Sequence, residues 1–205
     1  EPEWPWRQAD EKAQAATTSQ TQVERGRIVL SASVREDARW SCAYVGVGSN
    51  LDDPPRQVAE AIECLSRSND SRVARVSDLW RTLPVGPQDQ PDYCNAVVGL
   101  LVKLKPKDLL RKLLGIELDR GRRRNGVRWG ARVIDLDLLH VVGHECSDDA
   151  LTLPHPRACD RAFVMVPWAE VAPDVMLPDG RSVSSHARAL DATGMRKWAA
   201  QAAST

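Results

Sequence analysis

The chain has 205 residues, and its 28 basic and 28 acidic side chains give a formal net charge of zero. That length suits one well-buried domain with an appendage and is too short for two large ones. Balanced charge argues against a protein held on nucleic acid by bulk electrostatics, no apolar run approaches the roughly 20 residues of a membrane span, and the acidic, tryptophan-containing start does not read as a secretory leader.

Residues 1–40 differ from the rest. EPEWPWRQADEKAQAATTSQTQVERG is polar and rich in Ala, Gln and Thr, with at most a weak helix around 10–16. RIVLSASV (27–34) reads as one strand. CAYVGVG (42–48) is a short apolar strand ending in glycine. SNLDDPP then turns the chain, with Asp53 as the expected N-cap and Pro54 at the first helical position. Val58, Ala61, Ile62 and Leu65 follow at helical spacing. RVARVSDLW (72–80) reads as a single strand, TLPVGPQDQPDY (82–93) as a long loop with three prolines and one glycine, and NAVVGLLVKL (95–104) as a further strand. Pro106 opens the helix PKDLLRKLLGIELDRG, which Gly121 closes. RWGARVIDLDLL supplies the next strand, after a basic loop. The order strand, helix, strand, strand, helix, strand predicts an α+β, ferredoxin-like split β-α-β core. LPHPR and AFVMVPWAEVAPDVMLPDG add C-terminal helices and a turn.

One strand carries a contradiction. Val133, Ile134, Leu136, Leu138 and Leu139 read as a strand buried on both faces, yet Asp135 and Asp137 sit among them. Residues two apart share a face, so the carboxylates stand about 7 Å apart at roughly 3.3 Å rise per residue. Hard oxygen ligands so placed suit Mg²⁺, which takes one or two carboxylates and completes its shell with water and phosphate oxygens. A pair of surface acids on a half-exposed strand is the alternative. Just before them, GRRRNGVRWGAR (121–132) offers Arg122, Arg123, Arg124, Arg128 and Arg132, whose planar forks match phosphate oxygens. Glu117 breaks the apolar stripe set by Leu110, Leu113 and Leu114, near a helix C-terminus where negative charge is disfavoured. A salt bridge to Arg120 or Arg124 is its bland reading. Metal beside phosphate is a site for phosphoryl-type chemistry. The glycines at Gly46 and Gly48 lack the Gly-Lys-Ser/Thr of a Walker loop.

Five cysteines at irregular spacing suggest reduced thiols in a cytosol-like compartment; Cys42, Cys64 and Cys94 read as packing residues. His140, His144 and Cys146 lack a fourth metal ligand at sensible spacing and read as surface or packing residues. An RNA-binding ferredoxin-like module would want exposed aromatics on a central strand, and NAVVGLLVKL has none.

From about Cys42 to Trp198 the chain closely resembles the 6-hydroxymethyl-7,8-dihydropterin pyrophosphokinase family of folate biosynthesis. The resemblance rests on GSNL (48–51), RTLPVGPQDQPDYCNAV (81–97), GRRRNGVRWGARVIDLDLL (121–139) and LTLPHPRACDRAFVMVP (151–167), in that order. It implies a ferredoxin-like fold and transfer of pyrophosphate from ATP to the pterin hydroxymethyl group, releasing AMP. It further implies a pyrophosphokinase domain at 41–198, an N-terminal extension of unknown role at 1–40 and a tail at 199–205. Asp135 and Asp137 match ligands of two Mg²⁺ ions, and Arg122 and Arg132 match arginines that neutralise the moving group. Arg124 and Trp129 match a loop that closes over the substrates, Trp129 serving both pterin and nucleotide. Tyr93 and Phe163 match the aromatic pair around the pterin; Asn95, with the backbone at Thr82, Leu83 and Val85, matches the groups that read its amide edge. Arg132, His155 and Arg161 match ATP contacts, with Glu117, Leu138 and Thr152 near the adenosine. Asn125, Ala150, Pro156 and Leu114 depart from common family choices, which bears on nucleotide affinity. Small-molecule substrates alone, a cytoplasmic location and a monomer, with a dimer as the alternative, complete the expectation.

Overall fold

The computed structural model describes residues 22–24, 27–29, 40–67, 69–122 and 130–198. The expected helix at 10–16, strand positions 30–34 and the tail 199–205 lie outside the described residues. In the first of two units, Glu1–Trp40, β1 (Gln22–Glu24) pairs antiparallel with β2 (Arg27–Val29).

The second unit, Ser41–Thr205, runs β3 (Ser41–Ser49), α1 (Pro54–Ser66), β4 (Ser71–Val76), β5 (Trp80–Thr82), β6 (Tyr93–Val102), α2 (Pro106–Asp119), β7 (Asp135–Val141), β8 (Cys146–Ser147), β9 (Thr152–Leu153), α3 (Ala162–Val171), α4 (Val183–Ala189) and β10 (Arg196–Lys197). Strands β7, β3, β6 and β4 lie side by side in that order, each neighbouring pair antiparallel. The two β-α-β units therefore interleave: β6 lies between β3 and β4, and β3 between β6 and β7. This is the ferredoxin-like arrangement. β5 pairs with the far end of β6, and β10 pairs with β5.

Strand alternation sorts the core into two layers. Val45, Val47, Ala96, Val98, Leu136 and Leu138 face α1 and α2, where Val58, Ala61, Leu65, Leu109 and Leu113 meet them. Tyr44, Val97 and Leu139 face the other way and pack with Val164, Met165 and Trp168 of α3 and Val183 of α4. Asp135 and Asp137 share the face of Leu139, on the α3 side.

Three expectations need correction. Residues 72–80 form two strands, because Asp78 and Leu79 bulge out: Val76 lies opposite Val98 and Trp80 opposite Asn95. Ser77 stays tied to Val97, its N–H donating to the Val97 carbonyl and its Oγ accepting the Val97 N–H, while the Asp78 N–H turns to Glu170. Asp53 does take the N-cap position, its carbonyl accepting the Gln57 N–H at 3.0 Å, but its side chain makes no cap; Pro55 at the second helical position removes one of the N–H groups such a side chain would serve. On α2 the buried stripe is Leu109, Leu113, Ile116 and Glu117, with Leu110 and Leu114 at its border; Gly121 then ends the helix at φ +83°. The expectation that β7 is buried on both faces holds, since the helices on either side bury most of its side chains, and within the sheet it pairs only with β3, at the edge.

Candidate active site

The register of the sheet explains why two carboxylates are tolerated on β7. Asp135 lies opposite Gly48, and Asp137 opposite Gly46. Two successive positions on the neighbouring strand thus raise no side chain against the acids. Gly48 is also opposite Asn95 on β6, and a Cβ there would come within 2.8 Å of Asn95 Oδ1. The glycine is required by that close approach. The result is a cavity of about 260 Å³ floored by the glycines.

Three arginines surround the acids. Arg122 Nη1 reaches Asp135 Oδ1 and Arg132 Nη1 reaches Asp135 Oδ2, both at 2.7 Å. Arg161, from the residue before α3, approaches Asp137 Oδ2 at 3.6 Å. Burial and the nearby Asp135 push the Asp137 carboxyl above its usual range. Burial opposes the Arg132 charge, but Asp135 and its hydrogen bond hold the guanidinium more firmly protonated than usual. His155 accepts the Arg157 N–H on Nδ1 at 3.2 Å, which leaves Nε2 to carry the proton of the neutral ring. Burial lowers its pKa further from the usual 6.5, so it offers a neutral N–H at pH 7.

The opposite wall is built for a polar, flat partner. Asn95 is buried and donates through Nδ2 to Thr82 Oγ1 at 2.7 Å. Tyr93 from β6 and Phe163 from the first turn of α3 line the cavity, the latter with Arg161 Cζ 5.6 Å from its ring centre. Burial raises the Tyr93 pKa, keeping the hydroxyl protonated to donate to Gly130 O at 3.2 Å. Leu83 and Val85 hang over the rim, 62% and 52% exposed.

Twelve of the sequence-derived residues therefore line one cavity: Thr82, Leu83, Val85, Tyr93, Asn95, Arg122, Arg132, Asp135, Asp137, His155, Arg161 and Phe163. Glu117, Leu138 and Thr152 do not. Leu138 points to the helix side because its neighbour Asp137 points to the cavity. Glu117, 2% exposed, accepts the Leu136 N–H at 2.7 Å and, among the described residues, pairs with Arg122 rather than Arg120; burial raises its pKa although the Leu136 N–H and Arg122 oppose that. Arg124 and Trp129 lie outside the described residues. Sequence reasoning missed Gly46 and Gly48 as the floor. Their alternation within one strand was the available signal, since a strand glycine marks close approach.

The donor set fits Mg²⁺. Among the described residues no cluster of three His, Cys, Asp or Glu side chains could hold a metal, and two carboxylates on one face are what Mg²⁺ uses when phosphate and water supply the rest. No helix among the described residues is long and apolar enough to cross a membrane.

Comparison with known proteins agrees with this geometry. Residues 44–173 match the family model described as 7,8-dihydro-6-hydroxymethylpterin-pyrophosphokinase. The 2-amino-4-hydroxy-6-hydroxymethyldihydropteridine pyrophosphokinase of Pseudomonas aeruginosa is 45% identical over 139 residues, covering 67% of this chain and 85% of that one. Its counterpart in Methylorubrum extorquens is 42% identical over 155 residues, 76% of this chain and 97% of that one. Among solved structures, Plasmodium falciparum HPPK-DHPS wild type superposes with a TM-score of 0.57 at 11% identity, over 74% of this chain but 44% of that longer one. That likeness speaks for the fold. With the sequence match spanning most of the described catalytic unit, the chain belongs to the 7,8-dihydro-6-hydroxymethylpterin pyrophosphokinase family.

Proposed function

We propose that in this ATP-dependent pyrophosphoryl transfer, a step of folate synthesis, the cavity holds the pterin against Asn95 and the triphosphate against the acids and arginines. The single observation that carries the assignment is the row Asn95–Gly48–Asp135 across three strands. It sets a buried amide reader and a metal-type carboxylate on either side of a glycine gap.

On this reading Tyr93 and Phe163 flank the pterin ring, and Asn95, with Thr82 and the backbone at Leu83 and Val85, reads its amide edge. A site built to hydrogen-bond a substrate rejects analogues that lack the group far better than apolar contact does. Asp135 and Asp137 would hold two Mg²⁺ ions. Bound there, the metal supplies charge neutralisation for the phosphates and acidifies the attacking hydroxyl. The hydroxymethyl oxygen attacks the β-phosphorus of ATP, the bond from that phosphorus to the α,β-bridging oxygen breaks, and AMP leaves with the bridging oxygen. The hydroxyl proton passes to solvent. Arg122, Arg132 and Arg161 already surround the carboxylates, so an incoming phosphate finds guanidinium forks in place. His155 donates Nε2–H to a phosphate oxygen as a neutral ring, and Arg124 and Trp129 are assigned to the closing loop. Glu117, Leu138 and Thr152 are assigned to the adenosine side, Glu117 also acting behind Arg122.

The same reading takes 41–198 as the catalytic domain, 1–40 as an extension and 199–205 as a tail. It takes the protein to be cytoplasmic, which the five free cysteines support, and monomeric, which light scattering checks. The decisive assay incubates the chain with ATP, Mg²⁺ and the reduced hydroxymethyl pterin and identifies the nucleotide product. AMP equal to pterin diphosphate is expected; ADP as the primary product would overturn the mechanism.

A further inference from the structure

Across the join of β4 and β5 the chain holds one residue more than the stretch of β6 it faces. Four steps lead from Val76 to Trp80, while the residues opposite them, Val98 and Asn95, are three steps apart. One extra residue on a strand reverses the face that every later side chain occupies. Were the pairing of Val76 with Val98 continued without it, Arg81 would lie opposite Tyr93 and Thr82 would turn to the α1 and α2 side. With it, Thr82 lies opposite Tyr93 on the cavity face, 5% exposed, and its Oγ1 accepts the Asn95 Nδ2–H at 2.7 Å.

Ser77 makes the extra residue possible. It is 8% exposed, and its N–H donates to the Val97 carbonyl at 3.0 Å. In a regular antiparallel pair the Val97 N–H would return a bond to the Ser77 carbonyl. It donates instead to Ser77 Oγ at 2.9 Å, and the same hydroxyl donates to Asp78 O at 2.8 Å. The bulged groups beyond it are also met. The Asp78 N–H donates to Glu170 Oε2 on α3 at 2.8 Å, and Leu79 O accepts the Trp198 N–H at 2.7 Å. A hydroxyl that accepts from β6 and donates to Asp78 lets the chain leave the ladder and rejoin it one residue out of step.

We propose that Ser77 is a positioning residue of the site: by holding the bulge, it fixes the register that brings Thr82 onto Asn95 and so sets the Asn95 amide in one orientation. An amide carries donors on one side and an acceptor on the other, so it reads a ring edge only when its orientation is fixed. The proposal rests on the assignment of Asn95 as the reader of the pterin edge given above. A Ser77 that served the fold alone would, when replaced, lower the melting temperature and leave the pterin KM where it was.

The test is steady-state kinetics of the full chain with ATP, Mg²⁺ and the reduced hydroxymethyl pterin, on wild type and on Ser77→Ala and Ser77→Thr. Ser77→Ala is expected to raise the pterin KM about tenfold or more and to leave the KM for ATP within about twofold. Ser77→Thr keeps the hydroxyl and should hold the pterin KM within about threefold of wild type. In a Thr82→Val background the alanine substitution should change the pterin KM less than about twofold, because the route through Thr82 is already cut. Ser77→Cys, close in volume but with a weakly bonding thiol, carries the same expectations as the alanine variant should that one not fold. A second measurement needs no turnover. By NMR of the free chain, the side-chain amide protons of Asn95 should exchange slowly with solvent in wild type and as fast as those of an exposed amide in Ser77→Ala. A folded variant that keeps the wild-type pterin KM, one whose effect adds fully to that of Thr82→Val, or an Asn95 amide whose exchange is unchanged overturns the proposal. Absence of turnover by the wild-type chain would count against the assigned reaction, and the exchange measurement then decides the role of Ser77 by itself.

Discussion

Glu117 sits on the buried face of α2 near its C-terminal end, where the macrodipole disfavours a negative charge. Its replacement tests what holds the active site in place. In Glu117→Ala the Leu136 N–H loses its acceptor, which costs about 1–3 kcal/mol if the donor stays buried. Arg122, whose side chain is 20% exposed, loses one carboxylate but keeps Asp135 at 2.7 Å. Removing one partner of a buried pair costs about 3–5 kcal/mol when the other is left alone, and the remaining Asp135 contact places this case at the low end. A net loss of about 3 kcal/mol follows, or roughly 6–12 °C in Tm for a chain of this size. Glu117→Gln keeps the volume and an acceptor for Leu136, so about 1–2 kcal/mol is expected. The pH dependence has a defined sign. Because burial raises the folded-state pKa above the usual 4.5, the contribution of this group is fully present below that value and is lost as pH rises through the folded one. The gap between wild type and Glu117→Gln therefore narrows as pH rises above the usual 4.5 and through the raised folded-state value. Urea unfolding followed by circular dichroism, paired with the KM for ATP, reads both. An alanine variant within about 0.5 kcal/mol of wild type, altered only in its nucleotide KM, would refute the framework role and leave Glu117 as a nucleotide contact.

Asp135→Asn or Asp137→Asn should reduce turnover by about a hundredfold or more, since a neutral amide replaces a metal-binding carboxylate poorly; steady-state rates at saturating Mg²⁺ check this, and Asp137→Asn should fold at least as well as wild type because burial and Asp135 already disfavour its charge. Gly48→Ala places a Cβ 2.8 Å from Asn95 Oδ1 and should raise the pterin KM about tenfold or more by disturbing the bond to Thr82, with the KM for ATP much less affected. His140 is buried against Trp168 and its pKa is lowered by that burial, so the stability it contributes is present above the usual 6.5 and lost as pH falls below it; thermal melts of His140→Leu should decline less than those of wild type between pH 7 and 5. Deletion of residues 1–40 should leave turnover within about twofold, because every assigned site residue lies in the second unit; a tenfold fall in a well-folded truncation would place the extension in the active site.

Periodicity and punctuation made most of the fold legible. Pro54, Pro106 and Gly121 stand where helices begin and end, and the order of elements dictated the interleaved sheet. Tertiary pairing explains the remainder. A strand-like run at 72–80 splits because Ser77 satisfies both backbone groups of Val97 and so lets Asp78 and Leu79 leave the ladder, a fact about β6 that the local sequence cannot hold. At the site, charge and spacing singled out the acids and arginines that the structure brings to one cavity, but the partner of Glu117 depended on which face of α2 meets β7. The hydrogen-bond partners of Asn50, which stands in the GSNL block, gave no local sign, because they lie 40 and more positions away.

The stability of β7 and its chemistry draw on the same charges. Two carboxylates on one strand repel, and burying either without a partner would cost several kcal/mol. The described structure offsets that with Arg122 and Arg132 on Asp135 and with Arg161 near Asp137. Lysines could supply the same positive charge, but a guanidinium fork can hold a carboxylate and then turn to a phosphate with matched geometry. Gly46 and Gly48 keep the space above both acids clear, so the exchange of partners requires no movement of the sheet. A neutral pair at 135 and 137 would relieve the repulsion and leave three arginines facing one another across the cavity. The acids are therefore as necessary to the arginines as the arginines are to them, and on the proposed assignment a polyphosphate carrying its own divalent cations would satisfy both sets at once.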